Sequence, residues 1–517
     1  MVDLSLGRAF RQIGGLTAIS RIMGFVRDIA FATFLGAGVA ADAFLVALKL
    51  PNMFRRLSAE GAMTHAFLPN YAAIREIYGQ AAALKLAAEA QIFLILGLSV
   101  LVIIAEIFMV DLILLLAPGF ANTPDRLAAA TDLARITMPY LPLISIVALW
   151  AAIANAHDHF KAGATAPIIA NICFIAGAAM IPIIASHVDT LRAVPIAIAL
   201  VVAGFAQLIF LYRALSRLHV VPALIWPRLS DAGRKMWRNF LPAAAGAGGM
   251  QLNLLIDLIL ASLLPVGAIS WLYYADRVAQ LPLGVIGIAL GTALLPKLSA
   301  AEAAGQPAEA RKCLSEAIGF AGFFVIPAVI GLVLCSFPII EGLFVYGVFT
   351  VSDAKMTATA LAAYGCGLPG FVLVKILQTA FYATSQPILV LKISLITVAV
   401  NVTGSLLLMP ILGHVGLALA TAVSGTVAAA IMLHLLVRQH RLCASFLPVC
   451  GRIILASSVM GAAVIFLQFG MDRFVMVPAA IILAITVVVG GAVYAVTAYA
   501  VGAVPEGLLR QGNNRNT

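Results

Sequence analysis

Runs of apolar residues, each about 20 long and separated by short polar or Pro/Gly-containing turns, recur from one end of this chain to the other. That is the length of helix needed to cross a hydrocarbon core roughly 30 Å thick. Such runs fall near 12–36, 40–70, 86–116, 128–156, 163–186, 193–214, 238–264, 268–298, 314–345, 356–384, 387–410, 414–437, 449–469 and 475–502, fourteen in all. Only 10% of the 517 residues are charged and 63% are hydrophobic, against about 25% charged in a soluble domain. The expected fold is therefore an all-α polytopic membrane protein with about 14 transmembrane helices.

Orientation follows from the basic residues between these runs. One alternate set of segments (the amino terminus, 71–85, 157–162, 213–238, 297–312, 438–452 and the carboxyl terminus) holds 19 Lys and Arg, and the opposite set holds four, Arg126, Arg192, Lys355 and Arg473. Cytoplasmic loops carry the excess of Lys and Arg, so both termini are expected in the cytoplasm. Met1 to Gly15 lacks an uninterrupted apolar core and reads as a lead into the first span rather than a cleavable signal. The same basic loops, facing anionic headgroups, account for a pI near 9.5 without nucleic acid. Six scattered cysteines without a CxxC pair support neither a disulfide frame nor a metal site.

The chain also resembles itself. Lys49-Leu50-Pro51 followed by Phe67-Leu68-Pro69 recurs as Gln280-Leu281-Pro282 followed by Leu294-Leu295-Pro296. Asp28 lies ten residues before Gly38, as Asp257 does before Gly267. Tyr140-Leu141-Pro142 and Ala166-Pro167 are echoed by Tyr364, Leu368-Pro369 and Gln386-Pro387. The expected division is 1–220 (helices 1–6), 221–440 (helices 7–12) and 441–517 (two further helices). Six helices per repeat give the two lobes one orientation, an architecture in which transporters alternate access.

Charge inside the apolar runs then becomes the informative feature. The first 60 residues include Arg21, Arg27, Asp28, Asp42, Lys49, Arg55, Arg56 and Glu60. At about 2.5–3.5 kcal/mol for each charge at the bilayer centre, eight facing lipid would cost roughly 20 kcal/mol or more. A fold is usually stable by only about 5–15 kcal/mol, so these groups must be enclosed by protein or water. Residues seven apart share a helix face, which groups Arg21 with Asp28 and Asp42 with Lys49 and Arg56. Arg55 lies off that stripe unless Pro51 bends the helix.

With Asp276, Arg277 and Lys375 from the second half, the set holds seven bases and four acids. Arginine does not deprotonate in practice, and its planar fork fits phosphate and carboxylate. The surplus therefore points to a cavity accepting a phosphate-bearing anion. The plainer reading, ion pairs that join helices, suits the acids better than the arginines because acids are too few to pair every base. His157-Asp158-His159 is a weak metal candidate, and no P-loop, HExxH or Ser-His-Asp arrangement is present. No cofactor is expected. Energy would come from an ion gradient or the membrane potential rather than from ATP bound by this chain.

Ser20-Arg21-Ile22-Met23-Gly24-Phe25-Val26-Arg27-Asp28, Ala41-Asp42-Ala43-Phe44, Lys49-Leu50-Pro51-Asn52 with Phe54-Arg55-Arg56, and Trp271-Leu272-Tyr273-Tyr274-Ala275-Asp276-Arg277 resemble the signatures of the MurJ (MviN) family. Ala117-Pro118-Gly119-Phe120 and Tyr346-Gly347 with Phe349-Thr350 extend the resemblance over nearly the whole chain. These are lipid II flippases of the multidrug/oligosaccharidyl-lipid/polysaccharide exporter superfamily. The resemblance implies a transporter rather than an enzyme, moving the undecaprenyl-pyrophosphate-linked disaccharide-pentapeptide across the bacterial inner membrane for peptidoglycan synthesis. Its implied partners are lipid II, membrane lipids and cell-wall synthesis machinery.

Carried over by position, Arg21, Arg27, Asp42, Arg55 and Arg277 match the family's cavity residues, which favours Arg55 over Arg56. Ser20, Asp28, Lys49, Glu60, Asp276 and Lys375 form a secondary group. The last two helices would form a lipid-tail groove. Gln280 departs from members that carry an acid there. Two rivals are a drug exporter of the same superfamily, which should have a less cationic cavity, and a polyprenyl-sugar-using membrane enzyme. The latter needs periplasmic carboxylates, for which loops 117–127 and 346–355 offer only Asp125 and Asp353.

Overall fold

A computed structural model describes residues 3–55, 66–184, 191–238, 240, 252–442, 446–471 and 478–505. All regular structure among them is helical. In chain order the α-helices are α1 (Asp3–Leu35), α2 (Val39–Arg55), α3 (Leu68–Ile107), α4 (Met109–Leu116), α5 (Pro124–Thr137), α6 (Tyr140–Ala156), α7 (Phe160–Ala179), α8 (Ile181–Ile184) and α9 (Val194–Arg217). A short linker helix, α10 (231–238), follows. The remainder are α11 (Leu252–Ser262), α12 (Ala268–Pro282), α13 (Ile288–Ala303), α14 (Pro307–Leu334), α15 (Ser336–Phe344), α16 (Val351–Ala383), α17 (Pro387–Leu412), α18 (His414–Arg438), α19 (Phe446–Met471) and α20 (Ala479–Ala500).

Among the described residues ten helical stretches are long and apolar enough to cross a membrane, and they correspond to ten of the fourteen expected spans. The four expected spans outside this group contain α1, α2, α11 and α12–α13. α1, α2 and α12 carry the described intramembrane charges except Lys375, which lies in α16, and α2, α11 and α12 are short, at 17, 11 and 15 residues. Elsewhere the helices run differently from the apolar runs. Residues 71–85, expected as a loop, belong to α3, whose helix is interrupted only at Gly79 (φ 83°, ψ 174°). The expected span 128–156 is two helices, α5 and α6, joined at Met138-Pro139.

The chain forms two compact units, residues 1–270 with 346–349, and residues 271–345 with 350–517. The first unit thus extends well beyond the expected boundary at 220, because the end of α11 and the loop after it are bonded to residues of α2, α5 and the 117–120 turn, as described below. Its core is built on α2. Ala41, Ala43, Phe44, Val46 and Ala47 are fully buried, and α2 packs on α5 while α1 packs on α7. Phe31 joins these layers, meeting Phe44 edge-on at 5.5 Å and Phe174 at 5.6 Å.

In the second unit α16 lies against α14 and α18, and α19 packs on both α14 and α20. A cluster of Cys335, Ile453, Ala456, Met460, Val464 and Tyr494 buries the inner faces of α19 and α20. The Tyr494 hydroxyl donates to the Phe323 carbonyl at 2.6 Å. The opposite faces of these two helices, with Phe466, Phe469, Val488 and Tyr499 exposed, are apolar surfaces of the kind that lipid covers.

Candidate functional site

Arg27 is held from several sides. Its Nε and Nη2 both donate to Asp28 Oδ1, at 3.0 and 2.7 Å, and Nη1 donates to Asn171 Oδ1 at 3.2 Å. Asn171 on α7 is fixed in turn by donating from Nδ2 to the Ser20 carbonyl at 3.1 Å. The guanidinium also lies 5.6 Å from the ring centres of both Phe31 and Phe174. Asp28 is almost wholly buried, whereas a fifth of the Arg27 side chain remains exposed. The result is a preoriented, partly exposed cation. Asn171 is a site residue that sequence reasoning missed, since one amide in an apolar run carries no periodic or charge signal.

Arg21 is exposed on α1, while Lys49 and Arg55 are half-buried on α2. Glu60, with Arg56, lies outside the described residues. In the second unit Asp276 and Arg277 are half-buried and Lys375 is exposed. Arg277 sits over the Tyr273 ring at 4.7 Å. Gln280, where the sequence departs from the acid-bearing pattern, donates to Asp276 Oδ2. The Lys375 stem passes Gly287, 3.8 Å from where a Cβ would stand.

Asp42, expected among the substrate-binding residues, lies in the first unit. It is wholly buried and its oxygens are taken by protein donors. Oδ2 accepts from Arg126 Nη2 at 2.9 Å and from the Gly267 N–H at 2.8 Å, and Oδ1 accepts from the Ser270 N–H at 3.0 Å and its hydroxyl at 2.7 Å. Gly267 (φ +96°) and Ser270 flank the first turn of α12, so Asp42 caps that helix in place of a local capping residue. Arg126 also donates to the Leu264 carbonyl at 3.3 Å and lies over Phe120 at 4.3 Å. It counted in the sequence as a loop cation, yet only 2% of it is exposed.

Two further contacts hold segments of the first unit together. The Gly119 N–H donates to Ser262 Oγ at 3.1 Å, and a Cβ on Gly119 would stand 2.1 Å from the Ser262 carbonyl oxygen. The Val348 N–H donates to the Thr33 carbonyl at 3.0 Å, and a Cβ on Gly347 (φ +61°) would stand 2.2 Å from that same oxygen. Thr33 lies five residues after Asp28, and Ser262 five after Asp257. Equivalent positions in the sequence repeat therefore receive equivalent glycine contacts. Among the described residues no group of His, Cys, Asp or Glu could hold a metal ion. His157, from the weak metal candidate, instead meets the Tyr71 hydroxyl at 3.0 Å.

An all-helical membrane protein with buried ion pairs and a preoriented arginine belongs to the class of polytopic transporters. The family model described as lipid II flippase MurJ matches residues 31–497. Probable lipid II flippases MurJ from Rhizobium tropici and Rickettsia prowazekii are 34% and 33% identical, over 99% and 96% of this chain and 97% and 98% of their own. The chain belongs to the MurJ family. In fold it is similar to a solved lipid II flippase MurJ in an inward closed conformation, with TM-score 0.75 and 24% identity over 94% of this chain and 97% of that one. It is also similar to a multidrug resistance MATE transporter of the MOP superfamily in an inward-facing conformation, with TM-score 0.66 and 15% identity over 82% and 94%.

Proposed function

We propose that this chain flips lipid II from the cytoplasmic to the periplasmic leaflet of a bacterial inner membrane, without chemical change to it, by alternating access. The observation that carries this reading, beyond family membership, is Arg27. A guanidinium held by Asp28, Asn171 and two aromatic rings, with a fifth of its side chain exposed, suits capture of a pyrophosphate by charge-assisted hydrogen bonds. Arg21, Lys49 and Arg55 would add positive charge in the first unit, and Asp276, Arg277 and Lys375 are the charged candidates of the second. Buried Arg126 offsets Asp42, so that acid does not diminish the cationic set.

In this proposal α1, α2, α11 and α12–α13 complete fourteen spans, with both termini cytoplasmic and the two halves as repeats. The paired Gly119–Ser262 and Gly347–Thr33 contacts support the repeat reading. So do the left-handed helix ends at Asp158 and Ser385 (φ 58° and 55°), each just before the next helix. An ion gradient or the membrane potential would reset the cycle, at about 2.3 kcal/mol per charge per 100 mV. The polyprenyl tail would stay in lipid beside α19 and α20.

The decisive assay is movement of labelled lipid II in proteoliposomes. Wild-type protein should transfer intact lipid, and Arg27→Ala should transfer it at least tenfold more slowly. Equal rates for the two, with both inserted normally, would overturn the proposal.

A further inference from the structure

The linker between α9 and α11 is built as a surface element. After α9 the chain turns at His219 (φ 54°), whose carbonyl accepts from Gln80 Nε2 at 3.3 Å. It then runs without regular structure to Ser230. There Glu89 of α3 accepts from the Ser230 N–H at 3.1 Å and its hydroxyl at 2.7 Å, while the Ser230 hydroxyl accepts from the Gly233 N–H at 3.1 Å. Glu89 and Ser230 together cap α10. Met236 is fully buried, and Trp237 packs 6.4 Å from Phe93.

These partners fix the depth of the linker. Gln80, Glu89 and Phe93 straddle the start of the apolar run of α3 near residue 86, where a membrane-spanning helix passes from headgroups into hydrocarbon. The outer side carries Arg228, Arg234, Lys235 and Arg238, all exposed, against Asp231 as its one exposed acid between 221 and 238. Beside them Leu224 and Trp226 are 76% and 79% exposed. Tryptophan with flanking cations at headgroup depth is the side-chain set that an anionic leaflet binds.

We infer that segment 221–238 is an interfacial anchor that binds the anionic phospholipids of one leaflet, with Leu224 and Trp226 inserted among the acyl chains and the four cations on the headgroup phosphates. The Glu89–Ser230 clamp makes this anchor part of the first unit rather than a free tether. Lipid composition thereby acts on α3 and α9, which flank the linker.

The test uses full-length protein in vesicles of phosphatidylcholine with or without phosphatidylglycerol, both containing acyl-brominated lipid. Emission from Trp226, taken as wild type minus Trp226→Phe, should be quenched at least twofold more strongly with phosphatidylglycerol. The excess should disappear in high salt and in a variant with Arg228, Arg234, Lys235 and Arg238 changed to Gln. The salt arm needs no variant to fold. Trp226 emission that is unquenched in both vesicles, as for a linker facing water or a soluble partner, overturns the inference. Quenching that is equal in both removes the anionic recognition and overturns it as well. Both leaflets have one composition, so the outcome is independent of orientation and of lipid II transport.

Discussion

Asp42 and Arg126, 84 residues apart in sequence, form a 2.9 Å ion pair in which neither side chain is more than 3% exposed. Removing one partner leaves the other charge buried, which costs about 3–5 kcal/mol. Arg126→Met should therefore destabilise the protein more than Asp42→Asn, because the amide oxygen introduced by Asp42→Asn can still accept from Gly267 or Ser270. The double variant should lose less than the sum of the single ones. Thermal unfolding of the four proteins in one detergent measures this coupling, and additive losses would show that the pair contributes nothing.

Gly119 and Gly347 each leave no room for a methyl group against a backbone carbonyl, at 2.1 and 2.2 Å. A backbone neighbour cannot swing aside, so Gly119→Ala and Gly347→Ala must displace chain segments, at about 1–3 kcal/mol each for overpacking. Gly347→Ala carries a further penalty because φ is +61° there. Gly319→Ala in α14, with nothing within 4 Å of its Cβ position, is the control and should be neutral or mildly stabilising. Melting curves that rank Gly319→Ala with the other two would contradict the close approach.

What the sequence reveals depends on how much each residue costs when misplaced. Arg27 and Asp28 were legible because charges in an apolar run require enclosure, and the enclosure is found around both. Arg126 was not, since a cation beside Pro124 and Asp125 reads as a solvated turn until the buried Asp42 is seen beside it. The heptad stripe groups Asp42 with Lys49 on one helix face. It could not reveal that donors from residues 267–270, more than 220 positions away, would occupy Asp42. Likewise the polar stretch 71–85 looked like a loop because it is not apolar, although nothing in it except Gly79 opposes a helix.

Asn171 is expected to act through Arg27, which it holds by one hydrogen bond while anchored to Ser20 by another. Charge-assisted bonds contribute about 1.5–3 kcal/mol, equivalent to roughly 10- to 150-fold in an equilibrium. Asn171→Ala should weaken lipid II binding by less than Arg27→Ala, and Asn171→Asp should lower the local positive charge while losing the bond to the Ser20 carbonyl, which a carboxylate cannot donate. Titration of lipid II into the reconstituted variants orders them. If Asn171→Ala binds like wild type, the amide has no positioning role.

His157 follows α6, outside the apolar spans, and is held below its ordinary pKa of 6.5 by burial first and the Arg75 cation second, with Asp158 acting in the opposite sense. The folded state thus favours the neutral imidazole, whose Nε2 meets the Tyr71 hydroxyl at 3.0 Å. The unfolded chain takes up its proton at higher pH than the folded one. The contribution of His157 is therefore complete above 6.5 and declines as pH falls from there towards the lowered folded value. Melting temperatures of wild type and His157→Gln, compared between about pH 8 and about pH 5 where only histidine ordinarily titrates, should converge towards acid pH. A gap that stays constant or widens on acidification would show that the imidazole is not held neutral.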